Sequence, residues 1–287
     1  MSGKLGKNYV IISTVTSAAV ILLIIAVMFV NSWPAIDGMG WRLFTRAWNP
    51  SKGEFGIVSM LYGSLAVTFI ALSIAVPVGV LTAIFTAEIL PGRYRLFVKS
   101  LLELLSGIPS IIYGLIGVAF FSVWIGDLFA LQSGRTVLTA GILLAVMVLP
   151  TIITLSDDAI HNVPGKYREA AKGLGLYPFE VFKNTTLPIA AADITGAVLL
   201  ALGRALGETM AVMLVIGSID RMPAPLYNFL VPGQTVTSKL GREISESAFG
   251  SLHFSALIFM GLILLLIVLG LTLAAQHFFR LERRLYE

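Results

Sequence analysis

The segment VPGKYREAAKGLGLYPFEVFKNTTLP, residues 163–188, is a polar island between two apolar runs, and its reading decides how the rest of the chain is folded. Its spacing predicts a short helix through Tyr167 to Lys172, a break at Gly173 and Gly175, and a second short helix from about Pro178 to Thr185. Proline suits the first turn of a helix, where its missing N–H would have no intrahelical partner anyway. Lys166, Arg168, Lys172 and Lys183 all fall in this one segment. Cations concentrate in the cytoplasmic loops of membrane proteins. The island therefore reads as a helix-turn-helix knob on an inner membrane face, shaped to dock a soluble partner.

Outward from the island, the composition agrees. The 287 residues are 57% hydrophobic and 13% charged, with a mean hydropathy of +0.89, whereas soluble domains carry about 25% charge. Such a chain lacks the polar residues to cover a water-soluble fold and is too hydrophobic for intrinsic disorder. With no cysteine there is no disulfide framework, thiolate metal site or Cys nucleophile. The net charge of +4 and pI near 9.4 hint at an acidic partner. The basic residues, however, are scattered between apolar blocks and form no stripe for nucleic acid.

A membrane helix needs about 20 mostly apolar residues. Six runs qualify: from about Tyr9 to Val30, Ile57 to Ile89, Ser100 to Ile125, Thr136 to Ser156, Ala191 to Ser218 and Phe254 to Ala275. The first exceeds the roughly 7 to 15 residues of a signal-peptide core, and Asn31, Ser32, Trp33 and Pro34 make a poor cleavage site, so it reads as a retained helix. With the N-terminus inside, 12 of the 20 Lys and Arg lie in inner segments, 7 in outer ones, and Arg204 within the fifth run. That bias places both termini in the cytoplasm. Trp33, Trp41 and Trp48 suit an outer aromatic belt. The chain divides into an N-terminal tail, first helix and outer loop at 1–56, a core of five further helices at 57–280, and a tail at 281–287. Within the core lie an inner loop at 161–190 and an outer loop at 219–253. In the outer loop Val236, Leu240, Ile244 and Ala248 recur every four residues, as in a short amphipathic helix that forms either a gate lid or an interfacial helix.

Within the second run, Ala71, Ala75, Gly79, Ala83 and Ala87 form a flat ridge that admits close helix packing. Pro77, Pro109 and Pro150 sit inside the second, third and fourth runs, where each can kink a helix. Ionisable groups at membrane depth are costly unless paired or wet. Arg204 and Glu208 are four apart in the fifth run, so they share a helix face and can pair. Gly203, Gly207 and Ala211 would form a small ridge beside them. Arg204 either lines a path for an anion, with Glu208 as its resting counter-ion, or forms a structural ion pair with it. Glu88, Glu103, Asp157, Asp158 and Asp193 lie near run ends and read as interfacial. No phosphate-binding P-loop or nucleophile elbow is present. Of His161, His253 and His277, only His161 has acids at helical spacing, Asp157 and Asp158. A catalytic zinc usually needs three convergent ligands. No catalytic residue and no metal ligand is assigned.

The inner loop resembles the EAA motif of bacterial ABC importer permeases. Glu169, Ala170 and Ala171 are followed by three residues, Gly175, nine residues, and Thr185, Thr186, Leu187 and Pro188. The one departure is Thr185, where the pattern has isoleucine. Three further runs resemble the phosphate-specific, PstC-type branch. They are GRALGETMAVMLVIG from Gly203 to Gly217, Trp48, Asn49 and Pro50 through Glu54, Phe55 and Gly56, and SGIPSIIYGL from Ser106 to Leu115.

The resemblance implies an all-α integral membrane fold of six transmembrane helices with type I, MetI-like permease architecture, in a bacterial or archaeal plasma (inner) membrane. It implies a transport subunit, not an enzyme, of an ATP-driven inorganic phosphate importer. This chain would bind no cofactor, with ATP used by a partner ATPase. Its expected partners are a PstA-type permease in a heterodimer, a PstB-type ATPase dimer, a PstS-type extracytoplasmic phosphate-binding protein and the lipid bilayer, but no nucleic acid. Glu169, Ala170, Ala171 and Gly175 would couple to the ATPase. Arg204 and Glu208 would serve translocation, with arriving phosphate replacing Glu208 as the partner of Arg204. The alternatives are a PstA-type sister subunit or another oxyanion permease, for sulfate or molybdate. From other classes they are a channel, a secondary transporter or a polytopic membrane enzyme. The coupling loop separates these last, which have no ATPase to dock.

Overall fold

The structure, a computed structural model, describes residues 2–283; of the expected tail at 281–287, residues 284–287 lie outside the described residues. Six helical segments among them are long and apolar enough to cross a membrane. Helix α1, Ser2–Met39, is followed by a small hairpin of β1, Trp48–Asn49, and β2, Glu54–Phe55, with Trp48 opposite Phe55. Helix α2, Val58–Ile84, widens into a π turn at Phe85–Ile89. After α3, Gly92–Ser106, the third crossing is made of α4, Ser110–Ile116, a π turn, and α5, Ser122–Leu128. Helix α6, Val137–His161, is the fourth crossing. The inner loop holds α7, Gly165–Gly173, and α8, Pro178–Val181, which runs through a π turn into α9, Leu187–Gly207. Helices α10, Met210–Val215, α11, Val236–Glu243, and α12, Leu252–Arg283, complete the chain.

The core is built on α2 against α6. Ala71, Ala75 and Ala83 are fully buried, Gly79 is buried with them, and Ala87 is packed against a further cluster at the inner end. The ridge therefore serves packing. A Cβ at Gly79 would stand 2.7 Å from Ile152 Cγ2 of α6, so only hydrogen fits between the two backbones. Val67, Ile70, Leu143, Leu144 and Val148 fill the same seam. A second cluster joins the outer part of α1 to α12 and the hairpin through Ala35, Trp48, Phe55, Leu257 and Met260. Trp33 and Trp41 are exposed, as a belt requires, but Trp48 is buried in this cluster and does not belong to the belt.

Two spans differ from the sequence expectation. The third begins at Ser110, not near Ser100, because Pro109 lacks an N–H and disfavours helix at Ile108. Pro109 thus starts a span and does not kink one, while α3 is a separate helix with no buried residue. The fifth begins earlier than Ala191, since α8, the π turn Phe182–Thr186 and α9 run on without a break. It also ends earlier than Ser218, at Gly207.

Beyond α10 the chain folds back over the helix ends remote from the 161–190 loop. Val137 N–H donates to Val231 O at 3.1 Å, Leu138 N–H to Phe229 O at 2.9 Å, and Val236 N–H to the Ser64 hydroxyl at 2.9 Å. The expected amphipathic helix is α11. Val236 is buried and Leu240 and Ile244 pack inward, while Ala248 lies past its end and is exposed. Lys239 on its inner side is only 2% exposed, with Asp220 and Glu243 (2.5 Å) as partners and the Trp48 ring 5.1 Å away. Glu243 Oε2 also lies 3.0 Å from His253 Nε2 and accepts the Trp48 indole N–H at 3.1 Å. A buried ammonium survives only when paired in this way, so α11 is fastened down at the outer end of the bundle.

Two tests follow from this packing. Gly79→Val is expected to lower the stability of the detergent-solubilised protein by about 1 to 3 kcal/mol through overpacking against Ile152. Gly196→Ala, where a Cβ meets nothing within 4 Å, is the matched control and should leave the unfolding midpoint unchanged or slightly raised. The second test concerns Glu243. Burial alone would push its carboxyl up, but hydrogen bonds and charge from Lys239 and His253 outweigh burial and hold it below the ordinary 4.5. Its contribution to stability is then complete above 4.5 and is lost as pH falls through the lower folded value. The unfolding temperature should be level between about pH 7 and about pH 5 and drop below about pH 4. An identical acid profile in Glu243→Gln would remove this carboxylate from the transition.

Candidate functional site

One face of α9 is made of Ala190, Ile194, Ala197, Ala201 and Ala205, all buried, and Arg204 lies just off that face with an exposed side chain. The helix stops at Gly207. Glu208 turns extended, at φ −69° and ψ 127°, and its Oε1 accepts the N–H of Thr209 (3.1 Å) and of Ala211 (3.2 Å) at the start of α10. The carbonyl of Glu208 accepts the Thr237 hydroxyl from α11 at 2.7 Å. Four-residue pairing needs an unbroken helix, so Arg204 and Glu208 do not share a face and are not paired. This corrects the expectation from spacing. The ridge of Gly203, Gly207 and Ala211 is also absent. A Cβ on either glycine would meet nothing within 4 Å, and Ala211, beyond the break, is buried close to Gly114 of α4.

Arg204 instead donates from Nη1 to Thr151 Oγ1 of α6 at 3.3 Å. Among the described residues no carboxylate is salt-bridged to it. A guanidinium whose one protein partner is a neutral hydroxyl keeps most of its five donors for an anion, and its planar fork suits an oxyanion. Thr151 was not legible as a partner, because the pairing is between helices 53 residues apart in sequence.

The inner loop has the expected first helix and glycine break at Gly175, but Gly173 is the last residue of that helix and the second helix does not stop near Thr185. Gly175 sits at φ +84°, a left-handed conformation open to glycine without strain, and reverses the chain between α7 and α8. Glu169 and Ala170 are exposed, Ala171 is buried beneath them, and Leu174, Tyr177 and Phe179 present an apolar tip to the outside. Arg168, one residue before Glu169, pairs with Glu88 in the π turn of α2 at 2.8 Å and donates to Ile160 O of α6 at 2.9 Å. The knob is thereby tied to both helices of the core.

A second set of charges anchors α3. Asp157 of α6, 3% exposed, accepts Arg95 Nη2 at 2.6 Å, Arg95 Nε at 3.1 Å and the Thr86 hydroxyl at 2.8 Å, while Lys99 pairs with Asp158 at 2.5 Å. The hydrogen bond to Asp157 holds the Arg95 guanidinium still more firmly protonated than usual, against its partial burial. Asp157, expected near a span end, is buried within the protein and saturated. Both acids near His161 are committed to cations. The sequence did carry a faint signal: Arg95 and Lys99 stand four apart on one helix face, opposite two consecutive aspartates. Glu103 and Asp193 are exposed.

Residues 75–284 match the family described as binding-protein-dependent transport system inner membrane component. The chain is 35% identical to the phosphate transport system permease protein PstC of Mesorhizobium japonicum, covering 95% of this chain and 90% of that one. It is likewise 35% identical to PstC of Pasteurella multocida, over 92% of this chain and 89% of that one. Among solved structures, a bacterial alginate ABC transporter bound to its periplasmic protein shares the fold at a TM-score of 0.61 and 14% identity, over 96% and 95% of the two chains. The MetNI methionine ABC transporter, facing inward, does so at 0.55 and 18%, over 76% and 92%. The chain is a membrane-spanning member of the binding-protein-dependent transport system inner membrane component family.

Proposed function

We propose that this chain is the PstC-type membrane subunit of an ATP-driven importer of inorganic phosphate, and that Arg204 is the group the anion meets inside the membrane. The observation that carries the site is the guanidinium itself: it stands near the break between α9 and α10, bonded to a hydroxyl and, among the described residues, to no carboxylate. The choice of phosphate is supported by relatives at 35% identity named for phosphate transport. Glu208 acts differently from the exchange of partners expected from spacing. Its carboxylate caps α10, where it keeps negative charge near the path without occupying Arg204. A conducting site must hold its ion weakly enough to release it, and a nearby fixed carboxylate favours release.

The remaining parts follow the same reading. A phosphate-binding protein delivers the anion outside, and a PstA-type permease completes the path as the other half of a heterodimer. The inner knob, with Glu169, Ala170, Ala171 and Gly175, seats in a cleft of a PstB-type ATPase dimer, and its exposed Leu174, Tyr177 and Phe179 supply the apolar contact. ATP is bound and hydrolysed there, and this chain takes no cofactor. Both termini lie in the cytoplasm, on the side of the knob, in keeping with the excess of inner Lys and Arg.

Arg204→Ala is expected to reduce phosphate uptake to background in membranes where the complex still assembles. Uptake at the wild-type rate would return Arg204 to a structural role. Separately, Glu169→Lys or Gly175→Trp should abolish co-purification of the ATPase while leaving this chain inserted in the membrane. Recovery of the intact complex from both variants would take the docking role away from the loop.

A further inference from the structure

We infer that Thr151 is a second oxyanion-contacting group, so that the anion is held between α6 and α9 by a hydroxyl and a guanidinium acting together. This rests on the reading of Arg204 just given. In membrane helices a Ser or Thr hydroxyl ordinarily returns its hydrogen to its own helix. Thr82 does so to Val78 O at 2.7 Å, Thr195 to Ala191 O at 2.8 Å, and Thr272 to Val268 O at 2.8 Å. Thr151 is different. Its oxygen accepts from Arg204 Nη1, and among the described residues no acceptor takes its hydrogen.

A hydroxyl has one donor and two acceptor positions, so accepting from Arg204 leaves the Thr151 hydrogen free to donate to an oxyanion gripped by the same guanidinium. Thr151 is half-buried and Arg204 exposed, so the pair opens onto accessible space and is not sealed in the core. Tyr113 of α4, close enough to feel the Arg204 charge, does not qualify. Its O–H is already donated to Leu105 O at 2.8 Å. Of these two hydroxyls, Thr151 is the one with a proton to give.

The test is phosphate uptake by the assembled complex, with its binding protein and ATPase, in proteoliposomes. Thr151→Val keeps the shape and loses the hydroxyl, and should slow maximal uptake about tenfold, the size expected for one lost hydrogen bond to a charged group. The half-saturating phosphate concentration, set by the delivering protein, should not move, and Thr151→Ser should restore the rate. Wild-type uptake in Thr151→Val with none in Arg204→Ala would overturn the role of Thr151 and leave that of Arg204 standing. Full uptake in Arg204→Ala would overturn both. Equal slowing in Thr151→Val and Thr151→Ser would mean that the side chain only fills space, which overturns the hydrogen bond. Should Thr151→Val fail to assemble, the wild-type complex trapped with vanadate in the presence of phosphate decides by direct imaging. Oxyanion density within hydrogen-bond distance of both Thr151 Oγ1 and Arg204 supports the proposal, and density on Arg204 alone overturns it.

Discussion

The rest of the structure depends on the close approach of α2 to α6. Lipid tails are as apolar as leucine, so helices in a bilayer gain little from hiding apolar surface and associate through packing. The stripe of Ala71, Ala75, Gly79 and Ala83 lets the two backbones meet, and Ile152 interlocks where Gly79 leaves room. Once α6 is fixed in this way, Thr151 and Asp157 along it have defined partners. Asp157 at its inner end faces Thr86 of the α2 π turn and Arg95 of α3, and Thr151 faces Arg204 of α9. A looser pair would let those polar groups wander, and a partly satisfied buried network is worse than an apolar one.

Charges at depth are treated in two distinct ways. Asp157 and Lys239 are both almost wholly buried, and each is saturated. Asp157 takes three donor atoms from Arg95 and Thr86, while Lys239 has two carboxylates and an aromatic face. These clusters fasten elements that the bundle would otherwise leave loose: α3 at one end, α11 and the hairpin at the other. Arg204 is treated in the opposite way, with one neutral partner and access to open space. Burying a charge is costly in every case. Arg204, exposed and with one hydroxyl partner among the described residues, is left open to a further ligand, whereas the saturated groups are not.

Much of the architecture was legible in the residues. Six apolar runs, the four-residue ridge of α2 and the glycine-broken inner loop can be read because each is a local pattern on one segment. Helix ends inside apolar sequence are less visible. Ser100 to Ile125 reads as one run because Leu101, Leu102, Leu104 and Leu105 are as apolar as the span that follows, and only Pro109 marks the division. The break at Glu208 is harder still. Nothing in GRALGET forbids a helix, and the carboxylate's choice between Arg204 and the N–H groups of Thr209 and Ala211 depends on the tertiary setting. Periodicity gives a faint hint of Arg95–Asp157, through Arg95 and Lys99 four apart opposite Asp157 and Asp158, and none of Lys239–Asp220 or Arg204–Thr151. Each joins segments whose register is set by the packing of other residues.

The path from the inner knob to Arg204 is unusually direct. From Pro178 to Gly207 the chain is one helical rod of 30 residues, about 45 Å at 1.5 Å per residue. Its inner end emerges from the turn at Gly175, and Arg204 sits three residues from its outer end. A rod of this kind passes a displacement of the knob along its length. The π turn at Phe182–Thr186 is the place where it can flex, since widened turns carry weaker hydrogen-bond geometry. The α2–α6 pair is joined to the knob and rod through Arg168 to Glu88 and to Ile160 O, and through Phe182, Leu187, Ala190 and Ile194 packed on Ile84, Ala87, Ala159 and Ile160. At the end of the rod remote from the knob, the polar contact between α9 and α6 is Arg204 to Thr151. A displacement of α9 relative to α6 at this end would separate Arg204 from Thr151, the contact proposed to receive the oxyanion.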